Sequence, residues 1–367
     1  MWISVPGGLE VTLTRSLPLS TWEAGILRPY GNALRDLHGI PDAVARNAAD
    51  EVVLRAIAVQ LGDMQAAIVE AAIRFLLRAA VSTYEGQPIH LNVLVDLALP
   101  PAPGVIADLA ELQRHDWYAL LGSGLETGVL VNGAGEVVRL VDVGSFELQA
   151  GESPDRLLSH AFRPIGEWTR QSGTRLALSI TRGRELLVHQ GGELRYVYRS
   201  GRWRGLPLDV AVRKGWSAGA GIGRPVKRAV LASLIDGSLG HHGACLGIVV
   251  RGQKTGFMGS AVLQQSDLWP DNVRAGLFGS DRFQLLSRRQ RLELLSMDGA
   301  TVLDHTGRIL AAGAIVAVPG GSSGGGRLAA TRALAAFGAA FKVSQDGPIA
   351  LFGRDSEGNV ELKMALA

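Results

Sequence analysis

The chain carries one cysteine, Cys245, among 367 residues. That excludes an internal disulfide and any zinc site built on several thiolates, and nothing argues for an oxidising compartment. Lysine is scarce too: five of the 37 basic residues are lysine and the rest are arginine. A GC-rich bacterial genome writes arginine in this way. Arginine also suits anion recognition, because a guanidinium binds phosphate through two parallel N–H groups. The formal net charge is only +3, which gives no sign of the concentrated basic face that a nucleic-acid polymer requires. Residues 1–8 have neither the basic region nor the apolar run of a secretory signal. The most apolar stretch, about 52–81, is interrupted by Arg55, Asp63, Glu70, Arg74 and Arg78, short of the ~18 uncharged residues of a membrane helix. These absences predict a cytoplasmic protein with no membrane partner.

Hydrophobic residues make up 47% of the chain, enough for a sizeable core and too many for extended disorder. At about 150 residues per domain the length predicts two domains. From Pro41, with Asp42 as cap, apolar residues recur at helical spacing to Gly62-Asp63, and a second helix is predicted over 64–81. Residues 88–96 read as a buried strand, and 105–113 as a short helix. The middle is rich in strands: 127–132 with 136–142, 175–180 with 184–189, then 194–198 and 202–203, joined by glycine turns. The glycine-rich stretch 216–224 reads as a boundary or an exposed loop. Beyond it, helices over 226–239, 287–297 and 327–337 alternate with strands at 244–250, 299–304, 308–316, 340–344 and 349–352. This pattern predicts an α/β fold, with a mixed sheet flanked by helices and an N-terminal helical extension. The expected divisions are 1–60 as that extension, 61–225 as a helix plus the strand-rich part, and 226–367 as the core.

Four features bear on chemistry. The first is the run Pro319-Gly320-Gly321-Ser322-Ser323-Gly324-Gly325-Gly326-Arg327, directly before a helix. Backbone N–H groups there can approach an anion, the helix start adds oriented donors, and Arg327 and Arg332 add charge. It is not a Walker A loop, for no Gly-Lys-Ser/Thr follows; the plainer reading is a tether. The second is Asp298-Gly299-Ala300, where the carboxylate could meet a metal or a sugar hydroxyl, or simply open a turn. The third is His241-His242, adjacent and therefore a poor chelate, expected at the surface. The fourth is Cys245, expected as inert core.

Taken in order, these pieces resemble the nucleotide-binding domain of bacterial diadenylate cyclases. The matching pieces are a helix into His242-Gly243-Ala244 and an apolar strand, Asp298-Gly299-Ala300, Gly307-Arg308-Ile309 and Ala312-Gly313-Ala314. The Gly/Arg loop on a helix start and Val343-Ser344-Gln345-Asp346-Gly347-Pro348-Ile349 complete the set. The cyclases carry an Arg-His-Arg cluster in that loop for the triphosphate. Here the loop reads Gly324-Gly325-Gly326-Arg327-Leu328-Ala329-Ala330, with one arginine and no histidine. Phosphoryl transfer needs several charges aimed at the transferring group, and a metal. The pattern is similar to the catalytically degenerate sensor family called DACNV, and so implies binding of a nucleotide or cyclic dinucleotide second messenger rather than its synthesis. The ligand-binding residues implied are Asp298, Gly299, Ala300, Gly324, Gly325, Gly326, Arg327 and Thr331. No cofactor is implied, a divalent metal entering only if the chain is an active cyclase. A homodimer and a separate effector protein are the partners the resemblance suggests. The rival readings are an active diadenylate cyclase and an interaction protein with an empty pocket.

Overall fold

The computed structural model describes residues 2–5, 9–12, 42–101, 107–115, 118, 121, 126–144, 162–181, 183–205, 221–264, 267–318 and 325–366. The chain is α/β, with mixed sheets and helices in two compact units. Described residues up to Gly205 form the first and those from Gly221 the second.

In the first unit β1 (Trp2–Val5) and β2 (Leu9–Thr12) form an antiparallel ribbon. Then come α1 (Asp42–Gly62), α2 (Ala66–Val81), the short pair β3 (Thr83–Tyr84) and β4 (Gln87–Pro88), β5 (Asn92–Asp96), β6 (Ala107–Asp108) and α3 (Leu109–Leu112). They are followed by β7 (Thr127–Val131), β8 (Glu136–Asp142), α4 (Arg163–Arg170), β9 (Arg175–Ile180), β10 (Leu186–Gln190), β11 (Glu193–Arg199) and β12 (Arg202–Gly205). Eight strands form one sheet in the order β12-β11-β10-β9-β5-β7-β8-β6. Both predicted hairpins are present as antiparallel pairs, β7–β8 and β9–β10.

Residues 42–60 are no separate extension. Leu54, Ile57 and Ala58 of α1 share one buried cluster with Ile73, Phe75 and Leu76 of α2 and with Val93, Leu178 and Val188 of the sheet. The strand-rich middle likewise builds its own sheet here rather than joining the C-terminal one. The stretch Glu51–Val81, charged residues included, is by length and composition apolar enough to cross a membrane, a test that the core helix of a soluble protein also passes. Its apolar side is used inside the fold, since Val69, Ile73, Phe75 and Leu76 are fully buried. Strand residues alternate between faces, so the other face of the sheet carries the even-handed partners: Ala177, Ser179 and His189. His189 stacks on Phe162, ring centroids 5.7 Å apart, and burial pushes its pKa down to about 3, which keeps the ring neutral. Glu185 and Arg199 form an ion pair that is almost wholly buried, their side chains 3% and 4% exposed.

The second unit opens with α5 (Arg224–Leu239) and β13 (Ala244–Val249), then α6 (Lys254–Met258), α7 (Asp271–Phe278) and α8 (Arg288–Ser296). β14 (Ala300–Asp304), β15 (Ile309–Ala314), α9 (Gly326–Ala335), β16 (Gly338–Val343), β17 (Ile349–Arg354) and β18 (Val360–Leu366) complete it. The sheet order is β15-β14-β13-β16-β17-β18; only β13 and β14 run parallel. Helix α9 covers one face: Val302, Leu334 and Ala340 meet in one buried cluster. The next residue along β14, Thr301, points the other way and donates its hydroxyl to the Leu294 carbonyl of α8 at 2.9 Å. Arg288 ties α8 to α5 by reaching both carboxylate oxygens of Asp236, at 2.5 and 3.2 Å. Serine-capped α8 begins where the sequence predicts, with Ser287 and Gln290 in a reciprocal capping box.

Candidate functional site

The site lies where β14 and β15 begin and end, beside the first turn of α9. Gly299 has φ +102°, and a Cβ built on it would stand 2.6 Å from the Gly313 carbonyl carbon and oxygen. Only glycine fits there, for conformation and for space. The Asp298-Gly299-Ala300 and Ala312-Gly313-Ala314 segments are therefore held backbone to backbone, with Ala300 opposite Ala314 in the ladder.

Next to this junction α9 starts at Gly326, with Gly325 as N-cap and no side chain capping it. The N–H groups of a first helical turn have no acceptor within the helix, so they are available to an anion, which the helix dipole also favours. The Arg327 guanidinium lies over Gly243, where a Cβ would stand only 2.4 Å from Nη1. Glycine at 243 thus makes room for the charge.

A cavity of about 670 Å³ opens between these elements, within the range of ordinary small-molecule sites. Among the described residues that line it, Asp298 and Arg327 are the charged ones, and the walls include Ala314, Ile315, Val316, Val318 and Ala330. Asp298 is exposed; its Oδ1 accepts the Gly299 N–H at 3.1 Å. Cys245 lines the cavity as well. Burial pushes its thiol pKa up to about 11, against smaller opposing effects of the Thr331 hydrogen bond and the Arg327 charge, so the thiol stays protonated and unreactive. A second hollow of about 480 Å³ shares Gly326 and Arg327 with the first and adds Lys342, Ser344, Gln345 and Asp346. No family model matches the chain, and no curated protein matches it.

Of the residues the sequence singles out, Asp298, Gly299, Ala300, Gly326 and Arg327 come together around the larger cavity. Gly325 lines the smaller hollow. Gly324, with the rest of the run 319–324, lies outside the described residues, as does most of the stretch 216–224. Thr331 does not line either space. It is fully buried, donates to the Arg327 carbonyl at 2.7 Å and sits 3.4 Å from the Cys245 sulfur, because one helical turn carries it from Arg327 towards the sheet. Arg332 is likewise absent from the lining; its guanidinium lies over the Phe352 ring, 5.8 Å from the centroid. His242 is exposed, but His241 is half-buried with its Nδ1 3.0 Å from the Gln345 carbonyl; neither lines either of these two spaces. Among the described residues no group of three or more His, Cys, Asp or Glu side chains is gathered to hold a metal. The walls contributed by Ile315, Val316 and Val318 escape sequence reasoning. Their one signal is an apolar run that continues past the end of a strand.

Asp298→Asn keeps the side chain's shape and removes its charge. Because Asp298 is exposed and among the described residues its side chain bonds its neighbour's N–H alone, the free protein is expected to melt at an unchanged temperature. Ligand affinity should fall by about 1–2 kcal/mol, the scale of one hydrogen bond to a charged group, as calorimetry would read. Marked destabilisation of the free protein would instead make Asp298 a structural turn residue.

Proposed function

We propose that the second unit binds a nucleotide or cyclic dinucleotide second messenger in a pocket like that of the diadenylate cyclases, and that it senses this ligand rather than making it. The observation that carries the reading is the single cavity shared by Asp298, Gly299, Ala300, Gly326 and Arg327. A carboxylate able to accept from a ribose hydroxyl or a base amine stands on it, together with a guanidinium and a helix start able to hold phosphate. Its volume suits a nucleoside, and its walls are mostly apolar, as binding pockets are. Synthesis demands several cations on the transferring phosphate, whereas the loop before α9 supplies Arg327 alone. A soluble sensor of this kind would act through a separate effector protein, and two copies could associate face to face.

A thermal-shift screen against ATP, GTP, cyclic di-AMP and cyclic di-GMP tests the reading. A ligand at a hundred times its dissociation constant adds about 2.7 kcal/mol of stability, a readily measured shift. Incubation with ATP and magnesium or manganese, followed by chromatography, should yield no cyclic di-AMP. Product that disappears in Asp298→Ala would make the protein a cyclase, and no shift with any of the four would end the nucleotide reading.

A further inference from the structure

The larger cavity has an apolar lip that the fold itself does not use. Ile315 follows the last residue of β15 and lines the cavity, yet it is 72% exposed. Its backbone is firmly held. The Ile315 N–H donates to Asp267 Oδ2 at 3.1 Å, Val316 forms an antiparallel bridge with Leu263, and the Ala317 N–H donates to the Val262 carbonyl at 2.9 Å. Three successive residues are thus anchored while the Ile315 side chain stays in solvent. A β-branched side chain is also stiff about χ1, so little freedom remains to be lost when something packs on it. The charged groups of the cavity are Asp298 and Arg327, which can take the sugar and the phosphate; the planar base is the part of a nucleotide they leave without an apolar partner.

We infer that Ile315 is the platform on which the base of the ligand packs. The inference rests on the nucleotide-binding reading and adds to it an apolar contact for the base beside the charged groups that take the sugar and the phosphate. Covering an exposed isoleucine removes apolar surface from water, and partial burial of that side chain corresponds to about a tenfold gain in affinity.

Calorimetric titration of the full chain with ATP, GTP, cyclic di-AMP and cyclic di-GMP, on wild type, Ile315→Ser, Ile315→Phe and Arg327→Ala, tests it. Ile315→Ser is expected to weaken whichever of these binds by about tenfold, while Ile315→Phe, which offers a larger flat surface, binds at least as tightly as wild type. Both variants should melt without ligand at the wild-type temperature, since the residue supports no core. Equal affinity of Ile315→Ser and wild type, with Arg327→Ala still weakened, would overturn the platform and leave the site. So would an Ile315→Phe as weak as Ile315→Ser, or a clear loss of melting temperature in either variant. Failure of the wild type to bind any of the four would remove the nucleotide reading and this inference with it.

Discussion

Arg327→Ala is expected to weaken nucleotide binding by about 1.5–3 kcal/mol, or roughly 10- to 150-fold, the loss of a charge-assisted pair of hydrogen bonds. The free protein should remain folded, because Arg327 opens α9 and is only half-buried. A second variant reaches the same group from outside. In Gly243→Ala the new methyl would collide with the guanidinium, at 2.4 Å from Nη1 and 2.7 Å from Cζ. The far end of a flexible side chain yields cheaply, so stability should be little changed while the charge moves off its station. Affinity is then expected to fall in Gly243→Ala although position 243 contributes no group to the ligand. Calorimetry that finds both variants at wild-type affinity, with both folded, would reject the phosphate site at Arg327.

The largest effect on stability is expected in the other unit. Removing the cation in Arg199→Met takes away the guanidinium that is ion-paired with the Glu185 carboxylate, a group only 3% exposed. Breaking a buried pair on one side costs about 3–5 kcal/mol. The double variant Glu185→Leu/Arg199→Met replaces both charges by apolar groups and should recover most of that loss, because the desolvation of the carboxylate disappears with it. Urea unfolding of the three proteins measures the coupling. Equal stability of Arg199→Met and wild type would show that the pair is screened by water despite its burial.

Much of this fold is legible in the sequence because its elements are long, periodic or bounded by turns. The break between α1 and α2 falls at Gly62-Asp63, where Asp63 takes φ +46°. The hairpin strands over 127–142 and 175–190 stand within two residues of the reading. What was missed has little local signature. Helix α4, with the sequence RPIGEWTR, is short, polar and interrupted by proline and glycine. Strand β18 alternates charged and apolar residues, and among its described side chains Met364 alone is buried to the core's degree. Helices α6 and α7 are only five and eight residues long. At the site, the order of the motifs singles out Asp298 and Arg327, since glycine beside a charged residue at an element boundary marks exposed backbone. Ile315 could not be found in that way: an isoleucine at a strand end reads as core, and its exposure follows from where the edge strand β15 stops pairing. Thr331 and Arg332 fail for the opposite reason, because sequence proximity to a loop does not keep a side chain at the cavity: Thr331, one turn beyond Arg327, is buried against Cys245, and Arg332 lies over the Phe352 ring.

The parallel pairing of β13 with β14 has a consequence for engineering. Parallel neighbours need a crossover, and here it is residues 250–299, so the cavity draws on chain from before that stretch at Cys245, from its last residues Asp298 and Gly299, and from beyond it at Ala300. Within the crossover Gly279 is exposed, and nothing lies within 4 Å of the place its Cβ would take. Lengthening a loop costs only about 0.6 kcal/mol per doubling. A guest reporter domain spliced in at Gly279 therefore falls along the chain between Cys245 and Ala300, just after α7 and outside every strand of the sheet.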